Sequence, residues 1–223
     1  LAGYFDRKLM LHEETALSIT THDGDERKEP ILDQTTLNLI VRAELDAVRD
    51  ILGENAAAIV YREADLSDVY KNPPAYDFEP GLTRAQRARL YREIADLVGL
   101  NGAVGVWRRL GYAATMCSDE IGGAMSYVQG ANQEERFISA LELYSRTMGT
   151  GRIVTDGADG VGFDLAECFT CRGYQSTRPI CSLAAGSIQY MADVIFGKKK
   201  FQVEEKTCKA MGGETCYYVL KNC

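Results

Sequence analysis

Histidine is scarce in this 223-residue chain. There are two, His12 and His22, both far from the cysteines that dominate its other end. No second histidine follows His12-Glu13-Glu14 at helical spacing, so the zinc-hydrolase motif is excluded. A serine nucleophile elbow, a phosphate loop and a dinucleotide fingerprint are also missing, and no catalytic set is identified. No apolar run approaches the roughly 18 residues needed to span a bilayer. Residues 1–7 lack the pattern of a secretory signal, so the expected compartment is the cytoplasm, where thiols stay reduced. Basic blocks are absent apart from Lys198–Lys200, and the net charge is −7. Nucleic-acid binding by this chain alone is therefore not expected. Proline is rare, and three of the five lie between Leu66 and Pro80, marking a loop.

Cysteine, by contrast, is plentiful. The count is seven, an odd number that argues against a closed disulfide framework. Four residues of the last fifth stand at definite spacings: Cys181, Glu205, Cys208 and Cys216. Phe201, Val203 and Glu205 alternate along a predicted strand and share one face, which turns the carboxylate inward. A lone buried carboxylate is costly unless paired or bound to a cation. Cys208 falls just past the strand end, Gly212-Gly213 turn the chain back, and Cys216 opens the next strand. Cys181 starts the preceding helix. Three thiols and a carboxylate brought from separate elements have the make-up of a tetrahedral soft-metal site.

This pattern, with Gly186 and Gly212 at their places in it, resembles the 4-vinyl-reductase domain, also known as a hydrocarbon-binding domain. It is similar to the sensory domain of phenol-responsive regulators and more distantly to the Golgi transport-particle subunits. The resemblance implies one structural zinc on Cys181, Glu205, Cys208 and Cys216, a homodimer, and a pocket for a small hydrophobic molecule. No histidine here matches the ligand-facing histidine of the phenol sensors.

Along the chain, residues 1–32 read as an arm carrying Tyr4, Phe5, Leu9, Met10 and Leu11. Residues 33–223 read as one ligand-binding domain. Asp33 is expected to cap a helix striped by Leu37, Val41, Leu45, Val48 and Leu52, ended by Gly53. Ala56–Arg62 reads as a strand. Thr83 and Gln86 form a capping box for a second helix, interrupted at Gly99. Asn132 with Glu135 caps a helix striped by Phe137, Leu141, Tyr144 and Met148. From Gly149 the period becomes that of strands, Arg152–Thr155 and Val161–Cys168, joined as a hairpin. The sum is an α+β fold: N-terminal helices on an antiparallel sheet, with a C-terminal metal-stapled helix and hairpin.

Cys168 and Cys171 form a second thiol pair, open to packing, metal or redox roles. Cys117 reads as a core residue and Cys223 as an exposed thiol. Trp107, Tyr112, Phe137 and Tyr190 are the candidate lining of a central apolar pocket. Two functions from different classes follow. One is a zinc-containing binding or sensor protein for a small hydrophobic ligand. The other is an accessory or carrier protein, or a reductase, acting on a tetrapyrrole vinyl group. An iron–sulfur or redox protein built on Cys168 and Cys171 is the third reading.

Overall fold

The computed structural model describes residues 32–157 and 160–223. The expected arm, apart from Leu32, lies outside the described residues, as do both histidines.

Strand β1 (Thr35–Leu37) pairs antiparallel with β2 (Pro80–Thr83) in a two-stranded ribbon. It runs straight into helix α1 (Asn38–Leu52), so Leu37, not Asp33, is the N-cap, and no side chain caps the helix. The ribbon has taken the backbone that Asp33 would have needed. The expected stripe holds at Val41, Leu45 and Val48, all buried. Ala56–Arg62 is not a strand. It lies within helix α2 (Glu54–Glu63), which buries Ala57, Val60 and Tyr61. The three successive alanines favour helix, and the buried residues follow helical spacing that outweighs the β-propensity of Ile59 and Val60. A short helix α3 (Ser67–Lys71) interrupts the proline-marked loop.

Helix α4 (Arg84–Glu120) opens on the expected capping box. The Gln86 N–H donates to the Thr83 hydroxyl at 3.2 Å, and the Thr83 N–H donates to the Gln86 side chain at 2.8 Å. Gly99 breaks it with φ 75° and ψ 152°, a conformation closed to most other residues. Helix α5 (Gln133–Met148) is capped by Asn132, whose side chain accepts from the Glu135 N–H at 2.9 Å.

The second sheet is antiparallel, ordered β3-β4-β6-β5, from β3 (Arg152–Gly157), β4 (Gly160–Leu165), β5 (Phe201–Thr207) and β6 (Cys216–Asn222). β4 ends at Leu165, earlier than expected, which leaves Cys168 in the following loop. Helix α6 (Ser182–Phe196) joins β4 to β5 and packs on both α4 and β5. The α4–α6 crossing is set by two glycines. A methyl group at Gly111 would lie 1.9 Å from the Leu183 carbonyl oxygen, and one at Gly186 would lie 1.9 Å from that of Arg108. Only hydrogen at both positions lets the backbones meet. The described residues thus form an α+β fold with six helices and two antiparallel sheets. None of these helices is long and apolar enough to cross a membrane.

Candidate metal centre and ligand cavity

The thiols converge where α6 meets the β5–β6 hairpin. Cys181 is the N-cap of α6, Cys208 follows the end of β5, and Cys216 begins β6. The turn between them uses Gly212 at φ 86°, and the Met211 and Gly213 N–H groups both donate to the Cys208 carbonyl. Cys181 Sγ lies 3.8 Å from Cys208 Sγ and 3.4 Å from Cys216 Sγ, and Cys208 and Cys216 are 4.0 Å apart. Glu205 Oε2 accepts from the Cys181 N–H at 2.8 Å, while its Oε1 is buried without a hydrogen-bond partner among the described residues. The Tyr218 hydroxyl donates to the Cys181 carbonyl at 3.0 Å and fixes the same backbone from the sheet side.

These four donors lie within 4.8 Å of one another and could hold a metal ion. Their electrostatics fit a cation. Burial first, and then the charge of Cys208, push the Glu205 carboxyl up to about 9. Burial first also raises Cys181 well above the usual thiol range. Neighbouring thiols, Cys171 foremost, hold Cys208 below that range. A bound divalent cation compensates thiolates and carboxylate together, as no group among the described residues does.

Cys168 and Cys171 join the same cluster. Cys168 Sγ is 3.1 Å from Cys181 Sγ, and Cys171 Sγ is 3.7 Å from Cys216 Sγ. Sequence spacing gave no sign that the pair would meet the others, because the loop from Ala166 to Ile180 decides it. Cys117 is buried and Cys223 exposed.

A separate cavity of about 220 Å³ opens between β1, α1, α4, α5 and α6. Its wall is mostly apolar, with Leu39 and Ile40 from α1, Ala114 from α4, Ala140 and Leu143 from α5, and Leu183 and Met191 from α6. At one end stand Glu44, Arg84 and Arg87. Glu44 and Arg87 form a two-point ion pair, with Arg87 Nε donating to Glu44 Oε2 at 3.0 Å and Nη2 donating to Oε1. The Tyr91 hydroxyl also donates to Glu44 at 2.7 Å, and Arg87 Nη1 donates to Thr36 Oγ1 at 3.0 Å. Burial works against the Arg87 charge, but Glu44 outweighs it and holds the guanidinium above its ordinary value.

Arg84 has no such partner among the described residues. It is 4% exposed, Nη2 donates to the Met148 carbonyl, and Nη1 has no hydrogen-bond partner there. Burial and then the charge of Arg87 lower it, with only Tyr144 acting the other way. The expected aromatic lining lies elsewhere. Trp107 packs between Tyr91 and Tyr174, and Phe137 packs on Phe196. Tyr112 packs on Tyr190, and their hydroxyls reach Asp193 and Asp119. None of these four lines the cavity. A sequence signal for the true polar end existed: Arg87 shares a helix face with Tyr91 and Ile94, where an arginine needs a buried partner.

Residues 162–222 match the family model of the 4-vinyl-reductase domain. The resemblance read from the thiol spacing thus holds over the segment that carries those thiols. Among similar solved structures is the phenol-responsive sensory domain of the transcription activator PoxR, with phenol. It is 17% identical at a TM-score of 0.52, over 65% of this chain and 78% of that one. An H-NOX protein from S. oneidensis in the Fe(II)NO ligation state is 12% identical at a TM-score of 0.57, over 84% of this chain and 99% of that one. An H-NOX structure described as probing the function of heme distortion is 16% identical at a TM-score of 0.56, covering 84% and 95%. At these identities the likeness is one of fold. No curated protein matches the chain in sequence.

Proposed function

We propose that this chain is a small-molecule binding or sensor module whose ligand is apolar with a carboxylate at one end. The observation that carries this is Arg84, a buried guanidinium with an open donor and no anionic partner among the described residues, at the end of an apolar cavity. An unpaired buried charge costs several kcal/mol. A ligand carboxylate would offset that cost through charge-assisted hydrogen bonds. Glu44 does not serve, because Arg87 and Tyr91 already occupy it. At about 220 Å³, the cavity is below the 300–1,000 Å³ usual for drug-sized ligands. That size suits a single ring or a short chain.

In this reading Cys181, Glu205, Cys208 and Cys216 hold one zinc, which staples α6 to the β5–β6 hairpin. All four positions are filled by the protein, so the metal has a structural role. Residues 1–32 cover a second copy in a homodimer, and the reduced thiols suit the cytoplasm.

Calorimetric titration of hexanoate and benzoate against hexanol and benzyl alcohol tests the ligand class. The acids are expected to bind at least about tenfold more tightly than the alcohols of the same shape, a difference that Arg84→Met erases. Equal binding of acid and alcohol would remove the role given to Arg84.

A tetrapyrrole carrier is the second reading, favoured by the fold likeness to H-NOX proteins. A propionate would use the same guanidinium, but the cavity would have to expand severalfold. Soret absorption in protein from its own host supports this reading, and a colourless preparation counts against it.

A further inference from the structure

We infer that the thiol cluster is a binuclear centre, in which two divalent metal ions share the thiolates of Cys181 and Cys216. The inference builds on the single-zinc reading above and adds a second ion that Cys168 and Cys171 complete.

Two sets of four donors come within 4.8 Å of one another: Cys181, Glu205, Cys208 and Cys216, and Cys168, Cys171, Cys181 and Cys216. They have Cys181 and Cys216 in common. Two tetrahedral ions sharing one edge need eight coordination positions less the two shared, which is six donors. The cluster has six, five thiols and one carboxylate. Cys168 and Cys171 would be terminal on one ion, Glu205 and Cys208 terminal on the other.

The distances agree. A metal–sulfur bond of about 2.3 Å in a tetrahedron separates its sulfurs by roughly 3.8 Å. The sulfur pairs here are 3.1, 3.4, 3.7, 3.8 and 4.0 Å apart. The pair that would bridge, Cys181 and Cys216, is 3.4 Å apart. In an iron–sulfur cluster the thiolates end on separate irons linked by inorganic sulfide. Sulfurs already in contact leave no room for that core.

All five thiols are buried. Five thiolates and a carboxylate around two divalent ions leave two negative charges. The Lys209 N–H approaches Cys216 Sγ at 3.5 Å, and the N-terminus of α6 sits at Cys181. Both favour anionic sulfur.

The two ions would differ in access. Cys168 and Cys171 border a solvent-open cavity with Phe169, Arg172 and Lys209, whereas Cys181, Glu205, Cys208 and Cys216 do not. The ion on the Cys168–Cys171 side is therefore the exchangeable one.

Native mass spectrometry with metal analysis of the full chain, purified reduced with zinc present, tests this. The expected result is two zinc ions per chain, falling to one in the folded Cys168→Ala/Cys171→Ala double variant. Loading with cadmium-113 should give two resonances in the wild type and one in the double variant. A chromogenic chelator should draw off the two ions in separate fast and slow phases. One zinc in the wild type, unchanged in the double variant, overturns the binuclear centre and leaves the single-zinc reading standing. A wild-type chain with one zinc and a mass lower by two hydrogens, from a Cys168–Cys171 or Cys168–Cys181 disulfide, also overturns it. No zinc in either protein overturns both readings.

Discussion

Arg87 and Glu44 close on each other in a two-point ion pair, with side chains 5% and 2% exposed. Arg84 stands one helical turn away, buried and without a carboxylate of its own among the described residues. The pair and the lone arginine divide two tasks. One joins α1 to α4, and the other leaves a charge at the end of the cavity.

Breaking the pair is expected to be costly. Glu44→Gln keeps the shape but leaves Arg87 buried and uncompensated, at a cost of about 3–5 kcal/mol. Urea denaturation, read at the midpoint with an unchanged slope, checks this. A loss below about 1 kcal/mol would mean that the pair contributes little.

Arg84→Met should act in the opposite direction. It removes an unpaired charge from an apolar wall, so stability without ligand is expected to hold or to rise by about 1 kcal/mol. Thermal melts with and without hexanoate separate the two effects: the ligand-induced rise in Tm disappears while the basal Tm does not fall. A basal Tm lowered by several degrees would show that Arg84 is a structural residue.

The glycine crossing gives a third prediction. Gly186→Ala places a methyl group 1.9 Å from the Arg108 carbonyl oxygen, part of a rigid helix backbone. The helices must separate, and a loss of about 3 kcal/mol or more is expected, at or beyond the upper end for overpacked cores. Gly105→Ala, where nothing lies within 4 Å, is the control and should be neutral or slightly stabilising. Equal effects of the two substitutions would count against the close crossing.

Thiol reactivity supplies a fourth. Burial first, then Glu120 and Asp46, push the Cys117 thiol up to about 11. At pH 7.5 its thiolate fraction is then on the order of 10⁻³ or less, which makes it inert to alkylation. With metal bound, iodoacetamide is expected to label one thiol per native chain, Cys223, with the rest reacting after chelation and denaturation. Mass spectrometry counts the labels, and prompt labelling of Cys117 would contradict its burial.

The thiol tetrad was legible because its information is local. Val203-x-Glu205-x-x-Cys208 and Cys216 sit on one hairpin, where strand alternation and two glycines fix their directions. The Thr83 and Asn132 caps were legible for the same reason. The convergence of Cys168 and Cys171 on Cys181 and Cys216 depends on an irregular loop, which periodicity does not describe. The strand expected at Ala56–Arg62 became a helix because three alanines and the contacts of Ala57, Val60 and Tyr61 outweighed two β-branched residues. The cavity wall was misplaced because aromatic side chains fill a core as readily as they line a pocket. Trp107 and Phe137 do the former, and the arginines at the cavity end carried the better signal.

Helix α6 reaches both sites. Its first residue follows Cys181, and Leu183, Ser187 and Met191 further along form part of the cavity wall. The two glycines hold this helix against α4, so both sites see one rigid rod. Thermodynamic reciprocity follows from that placement. Any free energy by which a ligand favours one setting of the rod returns as metal affinity at its N-terminus, and the metal acts on the ligand by the same factor. With both sites filled, the chain would read two inputs through a single moving part, and ligand occupancy could be followed from the rate at which the metal is released.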